Sequence, residues 1–202
     1  MTENGYEYVD LGLPSGTMWA TCNVGATKPE DEGLLFQFGR VDGYKYGAYN
    51  HFRTNEQNKQ DTRNENIPKT TSGKLYYQHN ILDLIDDAAH VNMGSAWRMP
   101  TNEQLEELCN NTTHEVETIN EVHGVMFTSN INGHQLFIPF AGLHYNGSYY
   151  KSYIDVSMWS SQVLTSDING AYRFFCNSSG FAGVLDCTYR SAAFSVRGVF
   201  KK

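Results

Sequence analysis

Hydrophobic and polar positions alternate most plainly at the end of the chain. From Phe194 the residues read Phe, Ser, Val, Arg, Gly, Val, Phe. A period of two places Phe194, Val196 and Phe200 on one face of a strand and Ser195, Arg197 and Val199 on the other. Chain ends are ordinarily polar and frayed. An apolar one predicts a closing strand, inserted once the rest of a sheet exists. Burying three such side chains contributes about 1.5–3 kcal/mol each, so loss of the last residues should be destructive.

The same reading along the chain gives the other elements. YEYVDL (6–11) and TMWATC (17–22) predict short strands joined by the turn GLPSG. KPEDEG reads as a charged loop and LLFQFG as a buried strand. From about 51 to 74 the sequence is almost wholly polar. It holds too little apolar surface to offset its ordering entropy. The flanking pieces are too small to fold alone, so this is a surface excursion within one domain spanning 1–202. Ile81, Leu84, Ile85 and Ala88 follow helical spacing and predict a helix over 80–91. In WRMPTNEQLEELCNN, Thr101 and Gln104 match a capping box, and Glu103 suits the positive end of the helix dipole. Leu105, Leu108 and Cys109 form the buried face of this second helix. Strands and turns follow: VMFTS and QLFIPFAG across NING make a hairpin, then MWSS, AYRFFC, a Gly-rich turn, GVLDC and the closing strand. Two early helices and a late run of antiparallel strands predict an α+β class.

Composition narrows the chemistry. The net charge is −7 with no basic block, which argues against nucleic acid as main partner. No apolar run reaches membrane-spanning length, so no membrane insertion is expected. MTENGYEYVDLG lacks the basic start and apolar core of a secretory signal. Virion proteins, released by lysis, are one class that needs no such leader. The 13 Tyr often stand beside Gly, Asn and Ser. That mixture suits a recognition surface, and equally a β-rich protein with exposed turns.

Cys22, Cys109, Cys176 and Cys187 form no CxxC pair, which argues against a zinc ribbon or thioredoxin-like motif. Cys109 reads as a small core residue. Cys176 and Cys187 flank NSSGFAG, where a hairpin leaves a disulfide open. Adjacent Asp86 and Asp87 would point apart on a helix and suit a partner for Arg98 or a helix end. Glu30, Asp31 and Glu32 offer three carboxylates in a run, whereas calcium needs six or more convergent oxygens; a solvated loop is expected. The seven His show no HxH or HExxH spacing. No metal or cofactor is expected. What remains is a binding face. HYNGSYYKSY carries Tyr145, Tyr149, Tyr150 and Tyr153 beside Lys151, and the late window carries Tyr172, Arg173, Phe175, Asn177, Phe181, Tyr189 and Ser191. Aromatics and Arg on a rigid scaffold are the usual anchors of binding. Alternation in AYRFFC opposes Tyr172, Phe174 and Cys176 to Arg173 and Phe175, so one set must be core.

The blocks VDLGLPSGTMWATCNVGA, WRMPTNEQLEELCNN, LFIPFAGLHYNGS, MWSS and FSVRGV, in that order, resemble the major paralogous domain of Fibrobacter and Bacteroides type. That group is related to the formylglycine-generating enzymes. The resemblance covers most of the chain except the polar excursion. It implies a C-type-lectin-like fold: two helices, a small twisted, mainly antiparallel sheet, and long loops at its far end. It implies that the terminal strand returns to the middle of the molecule, with Arg197 structural and bonded to buried carbonyls or a carboxylate. The WSS…VR ending also looks like variable proteins of diversity-generating retroelements and phage receptor-binding tips, whose substitutions concentrate just before the final strand. Here that window is AYRFFCNSSGFAGVLDCTYRSAA. Ala193 stands where the family usually has Gly, and Gly198 where it often has Pro. The Glu-Pro-Asn and Trp-Asn-Asp signatures of sugar-binding lectins are missing.

The leading expectation is a non-enzymatic recognition domain on a virion, as tail, fibre or capsid decoration, or on a bacterial surface. It would bind a bacterial surface protein or glycan through its C-terminal loops. A second is a structural component, with the same patch buried in a homotrimer or against other virion proteins. A third is an oxidase of the formylglycine-generating type, for which Cys176 and Cys187 are the only candidates; no His, Lys or helix N-terminus beside them would activate a thiol. On the leading reading, Tyr149→Ala or Arg173→Ala weakens binding without lowering the melting temperature.

Overall fold

The computed structural model describes residues 1–45, 52, 81–146, 148–151, 154–164, 166–167, 170–179 and 182–202, with backbone alone at 182–185. In chain order the first elements are β1 (Thr2–Glu3), β2 (Tyr6–Asp10), β3 (Thr17–Asn23) and β4 (Phe36–Gln37). The helices α1 (Ala88–Met93) and α2 (Asn102–Asn110) follow. Then come β5 (Thr112–Ile119), β6 (Val122–Ser129), β7 (Gln135–Pro139), β8 (Leu143–Tyr145) and β9 (Ser148–Tyr150). The last are β10 (Asp155–Val163), β11 (Gly170–Asn177), β12 (Ala182–Tyr189), β13 (Ala193–Phe194) and β14 (Arg197–Lys201). They form four antiparallel sheets, ordered β1-β2-β3-β14, β5-β6-β7, β10-β11-β12 and β4-β13-β8-β9.

The expected α+β class is therefore corrected. The described residues are mostly β, 49% strand against 12% helix, and among them there are four small sheets in place of one. The main reason lies at 80–91. Ile81 bridges Gln162, and the Leu82 amide donates to the Ser161 carbonyl at 2.9 Å. These contacts draw the segment out extended. Only a 3-10 turn at Leu84–Asp86 and the short α1 remain helical. Ile81, Leu84 and Ile85, the supposed buried stripe, are each 46% exposed, whereas Leu82 is buried. α2 keeps its expected capping box, with Thr101 and Gln104 bonded reciprocally and Leu105 and Leu108 buried.

The closing segment sits between two apolar clusters. Met18 and Ala20 of β3, with Val196 and Phe200, face one cluster around Trp97, Trp159 and Phe194. Trp19 and Val199 face the other, around Leu105, Phe127 and Phe174. The sheet β1-β2-β3-β14 thus has core on both sides, and every residue from Arg190 to Phe200 is buried. β14 pairs with β3 along one edge. On its other edge Arg98 and Val199 exchange amide hydrogen bonds at 2.9 and 2.8 Å. The last strand is therefore held from both sides and on both faces. Ahead of it, β13 lies between β4 and β8.

Alternation in a two-sided core explains Arg197. Its position faces the interior between β3 and β7, and it is 0% exposed. Nε donates to Asn23 Oδ1 at 3.0 Å, Nη1 to Ala20 O at 3.0 Å and Nη2 to Phe137 O at 3.3 Å. All three acceptors are neutral. Burial pulls the guanidinium down to about 10, which leaves it charged at neutral pH. The cation ties the closing strand to two others without a counter-carboxylate among these partners.

Asp86 and Asp87 diverge, as neighbours must. Asp87 caps α1: its carboxylate accepts from the amides of His90 at 2.9 Å and Met99 at 2.9 and 3.1 Å. Arg98 adds only a weaker electrostatic pull. Asp86 is 8% exposed, and its Oδ2 meets no donor among the described residues. Burial first, then the neighbouring Asp83, push its carboxyl up to about 6. A carboxyl whose pKa is raised in the fold binds its proton more tightly there. Its contribution is present at low pH and is lost as pH rises towards about 6. Asp86→Asn should therefore raise the urea midpoint at pH 8 more than at pH 4. An equal shift at both pH values would contradict this.

Candidate functional site

Two tyrosines meet where β8 approaches β12. Tyr145 ends β8 and Tyr189 ends β12. Their rings stack with centroids 6.1 Å apart and planes 16° from parallel. Tyr145 is half-buried against the core, while Tyr189 is 48% exposed. A fixed ring behind an exposed one orients the latter, because stacking restricts its rotation. Tyr189 also lines a pocket of about 280 Å³ with Leu164, Asp167, Gly170, Cys187 and Thr188. The site thus offers one aromatic plane, one carboxylate, the hydroxyls of Thr188 and Tyr189 and the Cys187 thiol.

Arg173 lies one step further into this sheet. Register places it opposite Asp186, and Nε donates to Asp186 Oδ2 at 2.9 Å, with Nη2 joining the pair. Nη1 reaches Ser157 Oγ at 3.3 Å. The guanidinium carbon stands 5.1 Å from the Phe175 ring and 5.3 Å from the Phe194 ring. Phe174 and Cys176 are the buried set of this strand, and Arg173, Phe175 and Tyr172 are half-buried. Arg173 is thus built into the fold, and the expectation that Arg173→Ala spares the melting temperature is corrected. The exposed ion pair and its ring contacts should together be worth about 1 kcal/mol. A double-mutant cycle of Arg173→Ala with Asp186→Ala should show coupling of that size in thermal melts, and additive losses would contradict the pairing.

Tyr149 is likewise a structural anchor. Its hydroxyl lies 3.2 Å from both Glu32 Oε2 and Ala141 O, bridging β9 to the early loop. Burial raises the Glu32 carboxyl, opposed by this hydroxyl and by Lys151. Tyr149→Ala should then cost stability, against the earlier expectation. Tyr150, next along β9, points the other way and is 52% exposed. Asn177 closes the β11 turn, its Oδ1 accepting from the Ser179 amide at 3.1 Å and hydroxyl at 2.7 Å. Ser191 is corrected outright: it is 1% exposed, so its side chain does not reach the surface, and its carbonyl accepts from Gln37 Nε2 at 2.7 Å. Tyr153 and Phe181 lie outside the described residues.

The surface face is therefore Tyr189 backed by Tyr145, with the exposed Tyr150 on the β8–β9 hairpin. Asp186 and Asp167 escaped the sequence reading, which has Glu32 only as part of a solvated loop, not as the partner of Tyr149. A hairpin folded about Ser179 and Gly180 would have set Asp186 against Arg173. Nothing local links Glu32 to Tyr149.

Among the described residues, the groups weighed for the alternative chemistries stand apart. Cys176 stands opposite Ala182 and Cys187 opposite Tyr172. That offset is about 13 Å along the strand, beyond disulfide reach, and all four cysteines are free thiols. Burial pushes the Cys176 thiol up to about 11 and the Cys109 thiol up to about 12, away from reactivity. Glu30 accepts from Asn120, Asp31 from Thr27 and Glu32 from Tyr149. The three carboxylates thus turn to different partners. No helix among the described residues is long and apolar enough to cross a membrane. No family model, curated protein or solved structure matches this chain.

Proposed function

We propose that this chain is a non-enzymatic recognition domain, displayed on a virion or a bacterial surface, that binds a protein or glycan through the Tyr189 face. The observation that carries the reading is the exposed Tyr189 ring, backed by Tyr145 and standing over a pocket with Asp167 and Thr188. An oriented aromatic plane with a few polar groups stacks well on a sugar ring or anchors a protein contact. The buried closing segment begins one residue after Tyr189. The ring therefore stands at the edge of a buried segment, and such anchoring lowers the entropic cost of binding. The surface location rests on the likeness of the sequence blocks to the Fibrobacter and Bacteroides domains.

The test compares wild type with Tyr189→Ala on a glycan array and on a panel of intact bacteria. Binding by the wild type and at least about tenfold weaker binding by the variant are expected, the usual cost of an aromatic anchor. Tyr189 is half-exposed, so the variant's unfolding free energy should change by less than about 1 kcal/mol. Equal binding by both proteins would overturn the assignment. A stable trimer in light scattering, with Tyr189 shielded from solvent, would favour a structural role instead.

A further inference from the structure

A second cavity lies elsewhere, between the segment 81–87, the loop 96–101, α2 and β14. It holds about 600 Å³, within the range of small-molecule sites. It shares no lining residue with the Tyr189 pocket. Its floor is apolar: Leu82, Met99, Val199 and Phe200, each under a tenth exposed. Its rim carries Ile81 and Leu84, each 46% exposed. Such surface is costly to leave in water.

Charge complementarity names the occupant. Glu103 and Glu107 sit one helical turn apart on α2, both lining the cavity. Glu107 is held in place by Ser15, whose amide donates to Oε1 at 2.8 Å and whose hydroxyl donates to Oε2 at 2.5 Å. Glu103 is exposed, and its own amide and the Thr101 hydroxyl hold its carboxyl below the usual range. The other charged groups of the lining are placed differently. Asp87 is spent on the amides of His90 and Met99. Arg98 turns onto its own loop, Nη1 lying 2.6 Å from His90 Nδ1 and 2.6 Å from Ser95 O. Lys201 is exposed on the outer end of β14.

We propose that this cavity is a second binding site, for a ligand with an apolar body and a protonated amine: the body lies on Met99 and Val199, and the amine meets the carboxylates of Glu103 and Glu107. The site is independent of the Tyr189 face, so failure of one leaves the other standing.

Octylamine, octanol and octanoate are suitable probes, sharing one apolar chain and differing in the head group. Titrations followed by amide chemical shifts should show saturable octylamine binding, with the shifts centred on Met99, Ser161 and Val199. Octylamine should bind about tenfold tighter than octanoate, the effect expected of two partly exposed carboxylates. Glu103→Gln with Glu107→Gln should remove that preference and leave octanol binding unchanged. Ala96 is an exposed turn residue on the lining; Ala96→Phe should block all three probes without altering the unfolding midpoint. The proposal is overturned if no probe gives saturable shifts there, or if octanoate or octanol binds as tightly as octylamine.

Discussion

Ending the chain after Gly198 should abolish the folded state. The missing residues include Val199, which fills one apolar cluster, and Phe200, which fills the other. Removing a buried Phe side chain costs about 3–5 kcal/mol, and the lost burial of Val199 adds about 1.5–3 kcal/mol. The paired amide bonds between Arg98 and Val199 go as well. Together these losses match the whole stability of an ordinary domain, about 5–15 kcal/mol. Ending the chain after Phe200 removes only Lys201 and Lys202, both exposed, and should leave the urea midpoint almost unchanged. Circular dichroism of the two truncations decides the matter. A folded product from the first, or an unfolded one from the second, would contradict the packing described.

Arg197→Met should lower stability by about 3–5 kcal/mol, because three buried neutral acceptors lose their donors together. Methionine nearly fills the volume, so the loss reports the orphaned acceptors. Asn23 Oδ1, Ala20 O and Phe137 O each lose their donor in a site closed to water, at about 1–3 kcal/mol per buried group. Arg197→Lys should recover less than half of it, because one ammonium cannot span three divergent acceptors. Urea unfolding at neutral pH measures both. A methionine variant as stable as wild type would show that the guanidinium is dispensable.

The closing strand was legible because its alternation is local. Phe194, Val196 and Phe200 do share one cluster. That the opposite face is also core was not legible from the alternation, which groups Ser195, Arg197 and Val199 without saying what covers them; only the resemblance implied a buried Arg197. The second cluster is assembled from α2, β6, β10 and β11, whose arrival on that face no local pattern announces. Thr101 and Gln104 marked α2 because capping is a local event. The spacing of Ile81, Leu84 and Ile85 misled because strand-like contacts to Ser161 and Gln162 overrode it. Within the site, the residue types were right and several roles were not. Tyr149 and Arg173 looked like free anchors, yet Glu32 and Asp186 engage them. The stack of Tyr145 on Tyr189 joins residues from separate hairpins and depends on tertiary structure alone.

Native-state hydrogen exchange on the intact protein tests the locked closing segment most directly. The amides of Val199 and Arg98, bonded to each other's carbonyls, and of Val24, bonded to Val196, should open only with the whole molecule. Their exchange free energies should equal the global unfolding free energy and fall with urea at the same slope. Exchange of the Val199 amide through a local opening, insensitive to urea and faster than that of Leu105, would mean that the tail is not held, and the support for the Tyr189 face would go with it.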